Sequence, residues 1–172
     1  MKRSALLLGA LLALVAAGCG DTRTVTKTVT VDKAKNAFGS PAEQVQFGYI
    51  KSMTRKGDGF ELKFDPALFL IGDTASAAAA EDGMVEPGEP VPNDNYVVDE
   101  GHRLLTYKVP ANARVTVLID GPAGKPITVS QLAQLVAGKN SLPRPLFEPL
   151  KTGFWIRVRI DTVRALDQQY HP

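Results

Sequence analysis

The residues with the clearest chemical potential are the carboxylates of one acidic segment. Between residues 65 and 100 the chain carries nine Asp and Glu side chains and no Lys or Arg. Carboxylate oxygens are hard ligands that suit calcium. The candidate cation ligands are Asp73, Glu81, Asp82, Asp94 and Asp99. The alternate-residue ligand spacing of an EF-hand is absent, so an acidic loop in solvent is the preferred interpretation, and a cation-binding surface is the alternative.

The histidines and serines give little support to catalysis. His102 and His171 are far apart in the sequence, and a zinc site built on them would need carboxylates to complete it. No G-x-S-x-G motif surrounds any serine. Glu81 and Asp82 are adjacent, so on a helix they point about 100° apart and cannot form a facing acid–base pair. We expect no catalytic residue, metal or cofactor, and a small exported hydrolase using His102 and the acidic segment remains the alternative.

The stretch NDNY, residues 93–96, places amides and a carboxylate beside an aromatic ring. Asp94, Asn95 and Tyr96 could bind a polar ligand, or they could initiate a turn. Other polar aromatic side chains could line a pocket with them. These are His102, Tyr107, Trp155 and Tyr170. All of them are equally compatible with ordinary strand positions.

The N-terminus has the pattern of an export signal. A basic pair precedes an apolar run over residues 5–17, which has the length of a signal h-region and is shorter than the roughly 20 residues of a membrane-spanning helix. The run ends in AAGC, and Cys19 is the only cysteine. This ending resembles the lipobox of bacterial lipoproteins, although Ala16 replaces the usual Leu. The resemblance implies cleavage before Cys19 and a diacylglycerol on its thiol. Ordinary cleavage after Ala17 is the alternative.

Removing the signal peptide, residues 1–18, changes the charge balance. The whole chain has 20 basic and 18 acidic side chains, and two of the basic ones, Lys2 and Arg3, belong to the leader. The mature chain is therefore formally neutral. A neutral domain lacks the clustered positive charge typical of nucleic-acid binding, so no nucleic-acid partner is expected.

The mature chain divides into a tether and one domain. Residues 19–44 include threonine at every second position from 22 to 30, with Arg, Val and Lys between. This alternation could form an edge strand, but one face would be wholly threonine. We therefore interpret residues 19–44 as an extended tether stiffened by β-branched side chains. A single globular domain is predicted over residues 45–172, long enough for its own core.

The domain is predicted to be mainly β. VQFGYIKSM and FELKF should form a hairpin around TRKGDG, followed by an irregular piece, DPALFLIG. Two short strands flank DEGH, ARVTVLI is a strand, DGPAGKP is a turn, and FWIRVRI and VRALDQQY form a final hairpin. In that hairpin Phe154, Ile156, Val158 and Ile160 share one face. TVSQLAQLVAG is a helix with a Thr128–Gln131 capping box that ends at Gly138.

The Ala-rich stretch GDTASAAAAEDG is predicted to be a short helix. Alanine has the highest helix propensity, Asp73 is the expected N-cap, and Gly83 is the expected terminator. Together the elements favour a small antiparallel β-barrel, OB-like, with two short helices and the second helix closing one end. A two-layer α+β sandwich is the alternative.

Three stretches, FDPALFLIGDTASAAAAEDG, NDNYVV and ALDQQYHP, resemble a type of uncharacterised bacterial exported protein. The resemblance covers about residues 45–172 and implies a shared fold, with no assigned activity or site. The expected function is a lipid-anchored, non-enzymatic binding or interaction module at the outer face of the cell membrane. Its membrane contact is the lipid on Cys19, and its partner is an envelope protein or a small ligand.

Overall fold

The computed structural model describes residues 42–99, 101, 103–140 and 142–171. The predicted signal peptide, Cys19, nearly all of the tether and His102 lie outside these described residues. The strands are β1 (Gln44–Lys56), β2 (Gly59–Ile71), β3 (Asn95–Val98), β4 (Leu105–Val109), β5 (Arg114–Leu118), β6 (Gly124–Ile127), β7 (Phe154–Arg159) and β8 (Thr162–Gln168). The α-helices are α1 (Gly72–Glu81) and α2 (Val129–Val136), and short 3-10 helices cover Pro92–Asp94 and Leu150–Thr152.

Five strands close into a barrel. β1 pairs with β2 along one edge and with β7 along the other. β2 also pairs with β4, and β7 pairs with β8. The ring closes through a parallel contact between β4 and β8, where Lys108 stands opposite Thr162. This order, β1–β2–β4–β8–β7, confirms the predicted mainly β, OB-like barrel with two helices.

The remaining strands extend the barrel wall. β5 joins β8 in parallel and forms a hairpin with β6, so residues 124–126 of the predicted DGPAGKP turn are in fact part of a strand. β3 pairs with the last four residues of β2. The two strands predicted around DEGH therefore exist, and each pairs with a different part of β2.

The predicted irregular segment after Asp65 is wrong, because β2 continues through Pro66 to Ile71. The strand keeps partners along its whole length, with β1 as far as Ala67 and β3 beyond it. Pro66 stands opposite Gly48, where an added Cβ would lie 2.1 Å from the carbonyl oxygen of Asp65. The close approach of these two strands needs a glycine, and sheet pairing outweighs the local preference of the proline.

The barrel interior is an apolar core to which α2 contributes buried side chains. The helix buries Val129, Leu132 and Ala133. Its predicted capping box is confirmed, because Thr128 Oγ1 accepts from Gln131 N–H and the Gln131 side chain accepts from Thr128 N–H. The fully buried side chains of largest volume are Phe64, Phe154, Leu62, Leu132, Ile156 and Leu166.

Helix α1 packs outside the barrel against β2 and β3 through Ala75 and Ala79. The helix and its termination at Gly83 are confirmed, since Gly83 has a φ of +69° and its N–H bonds the carbonyl of Ala80 at 3.0 Å. The predicted N-cap is wrong. The N-cap position belongs to Ile71 and has no side-chain hydrogen bond, which places Asp73 inside the first turn. The helix follows directly from β2, so the strand determines where it begins.

The final hairpin is confirmed with two exceptions. The first is that β8 ends at Gln168, so Gln169 and Tyr170 of the predicted strand lie outside it. Phe154, Ile156 and Val158 face the core, as the alternation predicts. Ile160 does not share their face. It lies in the turn between β7 and β8, is 73% exposed and has a φ of +61°.

Candidate functional site

A groove of about 490 Å³ lies between the β1–β2 turn, β4 and the β7–β8 turn. We call it the turn groove. Its apolar side is formed by Phe60, Val109 and Pro110, and its volume lies within the range of small-molecule sites, about 300–1,000 Å³. Its position on the barrel wall, where two strands and two turns meet, makes it the strongest candidate for a binding site.

Backbone constraints build the floor of this groove. Gly57 takes a φ of +63° in the tight β1–β2 turn, a conformation that favours glycine. Gly59 lies against β4, where an added Cβ would be 2.6 Å from the carbonyl oxygen of Val109. The ring of Phe60 is almost fully buried, with the Arg55 guanidinium 5.9 Å from its centroid. The β1–β2 turn therefore packs closely against the end of β4.

The rim of the turn groove carries paired charges. Lys56 Nζ lies 2.6 Å from a carboxylate oxygen of Glu61, and Lys108 Nζ lies 3.2 Å from one of Asp161. The hydrogen bond from Lys56 lowers the pKa of Glu61 below its usual value, and the hydrogen bond from Lys108 lowers the pKa of Asp161 in the same way. Both carboxylates stay ionised near neutral pH, so the rim presents fixed positive and negative charges to a ligand.

The predicted acidic site residues are distributed around α1 and β3. Tyr96 donates a hydrogen bond to Asp82 Oδ2 at 2.8 Å, which raises the pKa of Tyr96. Asn95 donates its side-chain amide to the carbonyl of Asn93. Asp94 has a φ of +55° within the short 3-10 helix, which is the turn geometry that the sequence offered as the alternative interpretation.

Asp73 and Glu81 lie at opposite ends of α1, one in the first turn and one at the last residue. The structure thus brings Asp82 and Tyr96 together but does not gather the carboxylates. Within the described ranges, no three His, Cys, Asp or Glu side chains group closely enough to hold a metal ion. His102 belongs to the positions that are not described.

The polar aromatic side chains do not form one pocket. Tyr107 donates to Gln46 Oε1 at 2.9 Å in the barrel wall and borders the turn groove. Trp155 Nε1–H donates to Gln169 Oε1 at 2.7 Å on the outer face of β7. The centroid of the Tyr170 ring lies 6.1 Å from that of Phe147. Each ring has its own partner. The strand interpretation fits Tyr107 and Trp155, but it is wrong for Tyr170, which lies beyond the end of β8 at Gln168.

Two features were missed from the sequence. One is the turn groove. The sequence feature that could have indicated it is the Gly57-Asp58-Gly59 turn next to Lys56. The other is a buried carboxylate, Asp65, which is 6% exposed and lies 2.8 Å from Lys51 Nζ. This contact raises the pKa of Lys51. The sequence predicts that an irregular segment begins at Asp65, and only the pairing of β2 with β1 shows that this carboxylate is enclosed.

Neither described helix combines the length and the apolar character that crossing a membrane would require. The chain matches no protein-family model, no curated protein and no solved structure.

Proposed function

We propose that this protein is a bacterial lipoprotein whose single domain is a non-enzymatic binding module of the cell envelope. The lipid on Cys19 holds the chain at the extracytoplasmic face of the cell membrane. The domain binds an envelope protein or small ligand in the turn groove. The observation that carries the binding assignment is the groove itself, about 490 Å³ in volume with an apolar wall and paired charges at its rim.

The anchor rests on the leader sequence. A basic start, an apolar run and small residues before a single cysteine are the parts of a lipoprotein signal. A diacylglycerol supplies two acyl chains, which suffice for stable attachment where one chain gives only reversible binding. The Thr-rich residues 22–30 then lie between the lipid and the domain.

Binding fits the rim of the groove better than acid–base catalysis does. A general acid or base works best when its pKa is near the operating pH. The lysine partners move the pKa values of Glu61 and Asp161 in the opposite direction, further below neutrality. The position of the groove also supports ligand binding by analogy with other proteins of this fold. OB-like barrels commonly bind ligands on the second and third barrel strands and the adjoining turns. In this chain those barrel strands are β2 and β4.

The anchor is tested by Cys19→Ser in the full-length chain. We expect the wild-type protein in the membrane fraction with a lipid-modified N-terminal cysteine by mass spectrometry, and the variant in the medium. A wild-type N-terminus at Gly18 without lipid, or a variant that stays membrane-bound as tightly as the wild type, contradicts the anchor.

The groove is tested by a photo-crosslinking amino acid placed at Asp58, which is exposed in the β1–β2 turn. The matched control position is Lys139, exposed beyond the end of α2. We expect adducts with an envelope component at position 58 but not at 139, and their loss when Lys108→Glu reverses a rim charge. Equal adduct formation at both positions, or adducts that survive Lys108→Glu, would show that the groove is not the binding site.

A further inference from the structure

The entrance of the chain into the barrel and the β7–β8 turn lie at the same end of the sheet. Gln44, the first residue of β1, pairs with Val158, and Val158 is two residues from Ile160 in the turn. Because β1 and β7 are antiparallel, β1 begins beside this turn. A lipid attached upstream of Gln44 is therefore covalently connected to the domain at this end.

Three arginines at this end have no acidic partner among the described residues. Arg157 and Arg159 are on β7 and Arg164 is on β8, where a bulge interrupts the pairing of the two strands. Arg157 and Arg164 are exposed and Arg159 is half-buried. Neighbouring carboxylates are engaged elsewhere, since Asp161 binds Lys108 at 3.2 Å and Asp167 binds Arg114 at 2.8 Å.

The charge balance of this end is positive even when the adjoining chain is included. Glu43 is the acidic residue next to Gln44, and it is exposed and forms no ion pair within the described structure. Among the described residues, this end therefore carries three arginines without an acidic partner and one unpaired carboxylate, that of Glu43.

Two large apolar side chains are exposed among these arginines. Val45, 58% exposed, stands opposite Arg157 in the β1–β7 ladder. Ile160, 73% exposed, occupies the turn with a φ of +61°. A β-branched residue in this left-handed region is a conformational outlier, and such strain is concentrated at functional positions. The turn thus presents an isoleucine where glycine or asparagine would fit with less strain.

We propose that this surface docks on a membrane containing anionic phospholipid, with Ile160 entering the head-group layer. The surface comprises Val45, Arg157, Arg159, Ile160 and Arg164, and we call it the hairpin end. The proposal rests on the proposed lipid anchor, which brings the N-terminal side of β1 to a membrane. Basic residues attract anionic lipid electrostatically, and an apolar side chain gains from burial at the interface. A soluble polyanion would satisfy the arginines but would leave Ile160 and Val45 in water.

Docking in this way would also place the turn groove at the membrane. Asp161 and Thr162 follow Ile160 directly and border the groove. A ligand bound there would lie close to the lipid surface, so the proposed binding partner would be one found at the membrane rather than in the surrounding medium.

The test measures vesicle binding without the covalent lipid. The probe protein is the chain from residue 19 onward carrying Cys19→Ser, which contains every described strand and helix. It is sedimented with vesicles of phosphatidylglycerol and phosphatidylcholine, and separately with pure phosphatidylcholine. We expect binding to the anionic vesicles only, weakening as salt is added. Each of Arg157→Gln, Arg159→Gln and Arg164→Gln should weaken binding about fivefold, and Ile160→Gly about tenfold.

A matched control removes three charges elsewhere. Lys125, Lys139 and Lys151 are exposed on β6, after α2 and in the second 3-10 helix, and their triple Gln variant should retain most of the binding. Ile160→Gly should not lower the melting temperature, so its loss of binding would not reflect unfolding. The matched comparison for this control is the variant that combines Arg157→Gln, Arg159→Gln and Arg164→Gln. The proposal is overturned by equal binding to both vesicle types or by a lysine control variant that binds as weakly as this combined arginine variant. It is likewise overturned by binding to inorganic polyphosphate but not to vesicles.

The result of the vesicle-binding test can be distinguished from the result of the test for lipid on Cys19. If mass spectrometry finds no lipid on Cys19 while the Cys19→Ser chain binds anionic vesicles, the anchor fails and docking stands. If Cys19 carries lipid and the Cys19→Ser chain ignores anionic vesicles, the anchor stands and docking fails.

Discussion

The strain at Ile160 predicts that removing its side chain stabilises the protein. An L-residue in the left-handed region costs about 1–2 kcal/mol, and Ile160 has a φ of +61°. Glycine adopts this conformation without that cost, but it adds about 0.4–1 kcal/mol of entropy to the unfolded state. Because the side chain is 73% exposed, little burial is lost. The net expectation for Ile160→Gly is a gain of about 0.5–1 kcal/mol in the free energy of unfolding.

The same substitution at Ile71 is the matched control. Ile71 has a similar exposure, 66%, but a φ of −135°, in ordinary extended backbone where it pairs with Asn95. Ile71→Gly therefore loses strand propensity of up to about 1 kcal/mol as well as the entropy of about 0.4–1 kcal/mol. It should destabilise the protein by about 1–2 kcal/mol, opposite in sign to the change at Ile160.

The assay is urea unfolding at equilibrium, with thermal melting as a second measurement. For a domain of this size, 1 kcal/mol corresponds to a shift of about 2–8 °C in Tm. We expect the two variants to fall on opposite sides of the wild type. If Ile160→Gly is as destabilising as Ile71→Gly, the turn is not strained, and the inference from strain to a docking role for Ile160 loses its basis.

Three further predictions concern the core, the turn groove and the acidic segment. Leu132→Ala should cost about 2–5 kcal/mol by urea unfolding, because Leu132 is fully buried, whereas Gln134→Ala on the exposed side of α2 should change stability by less than about 0.5 kcal/mol. Lys108→Gln should raise the NMR-measured pKa of Asp161 towards its ordinary value. Because the folded pKa is depressed, the stabilisation from this pair is present above the ordinary pKa and is lost as pH falls through the folded pKa. Lys125→Gln should leave that titration unchanged. Millimolar calcium should leave Tm unchanged, since a specific site would raise it by mass action, and a clear rise would restore the cation-binding alternative.

Local patterns were enough to predict those elements whose stability is mostly local. The capping box at Thr128, the glycine stops at Gly83 and Gly138, and the Gly57-Asp58 turn depend on contacts within a few residues. The alternation of Phe154, Ile156 and Val158 predicted a half-buried strand for the same reason. These signals, with the order of the predicted strands and the late position of the second helix, sufficed to predict an OB-like barrel, because few folds accommodate that order.

The misread positions are those where distant residues override local preference. Asp65-Pro66 suggested a break, but pairing with β1 and then β3 carries β2 to Ile71. Ile160 continued the apolar alternation, yet the chain must reverse at that point for β8 to return beside β7. For Asp73, the end of β2 determines where α1 starts, so a good capping residue stands two residues after the N-cap position, which Ile71 occupies.

The amino-acid sequence by itself determined the lipobox-like pattern that ends at Cys19, the formal neutrality of residues 19–172 and the types of most secondary-structure elements. Only the tertiary structure decided which of these elements are neighbours. Barrel closure brings the β1–β2 turn next to β4 and the β7–β8 turn, which creates the turn groove, and it places Arg157, Arg159 and Ile160 beside the entrance of the chain. The physical reason is that sites are assembled from residues far apart in sequence, and their proximity depends on the pairing register of strands.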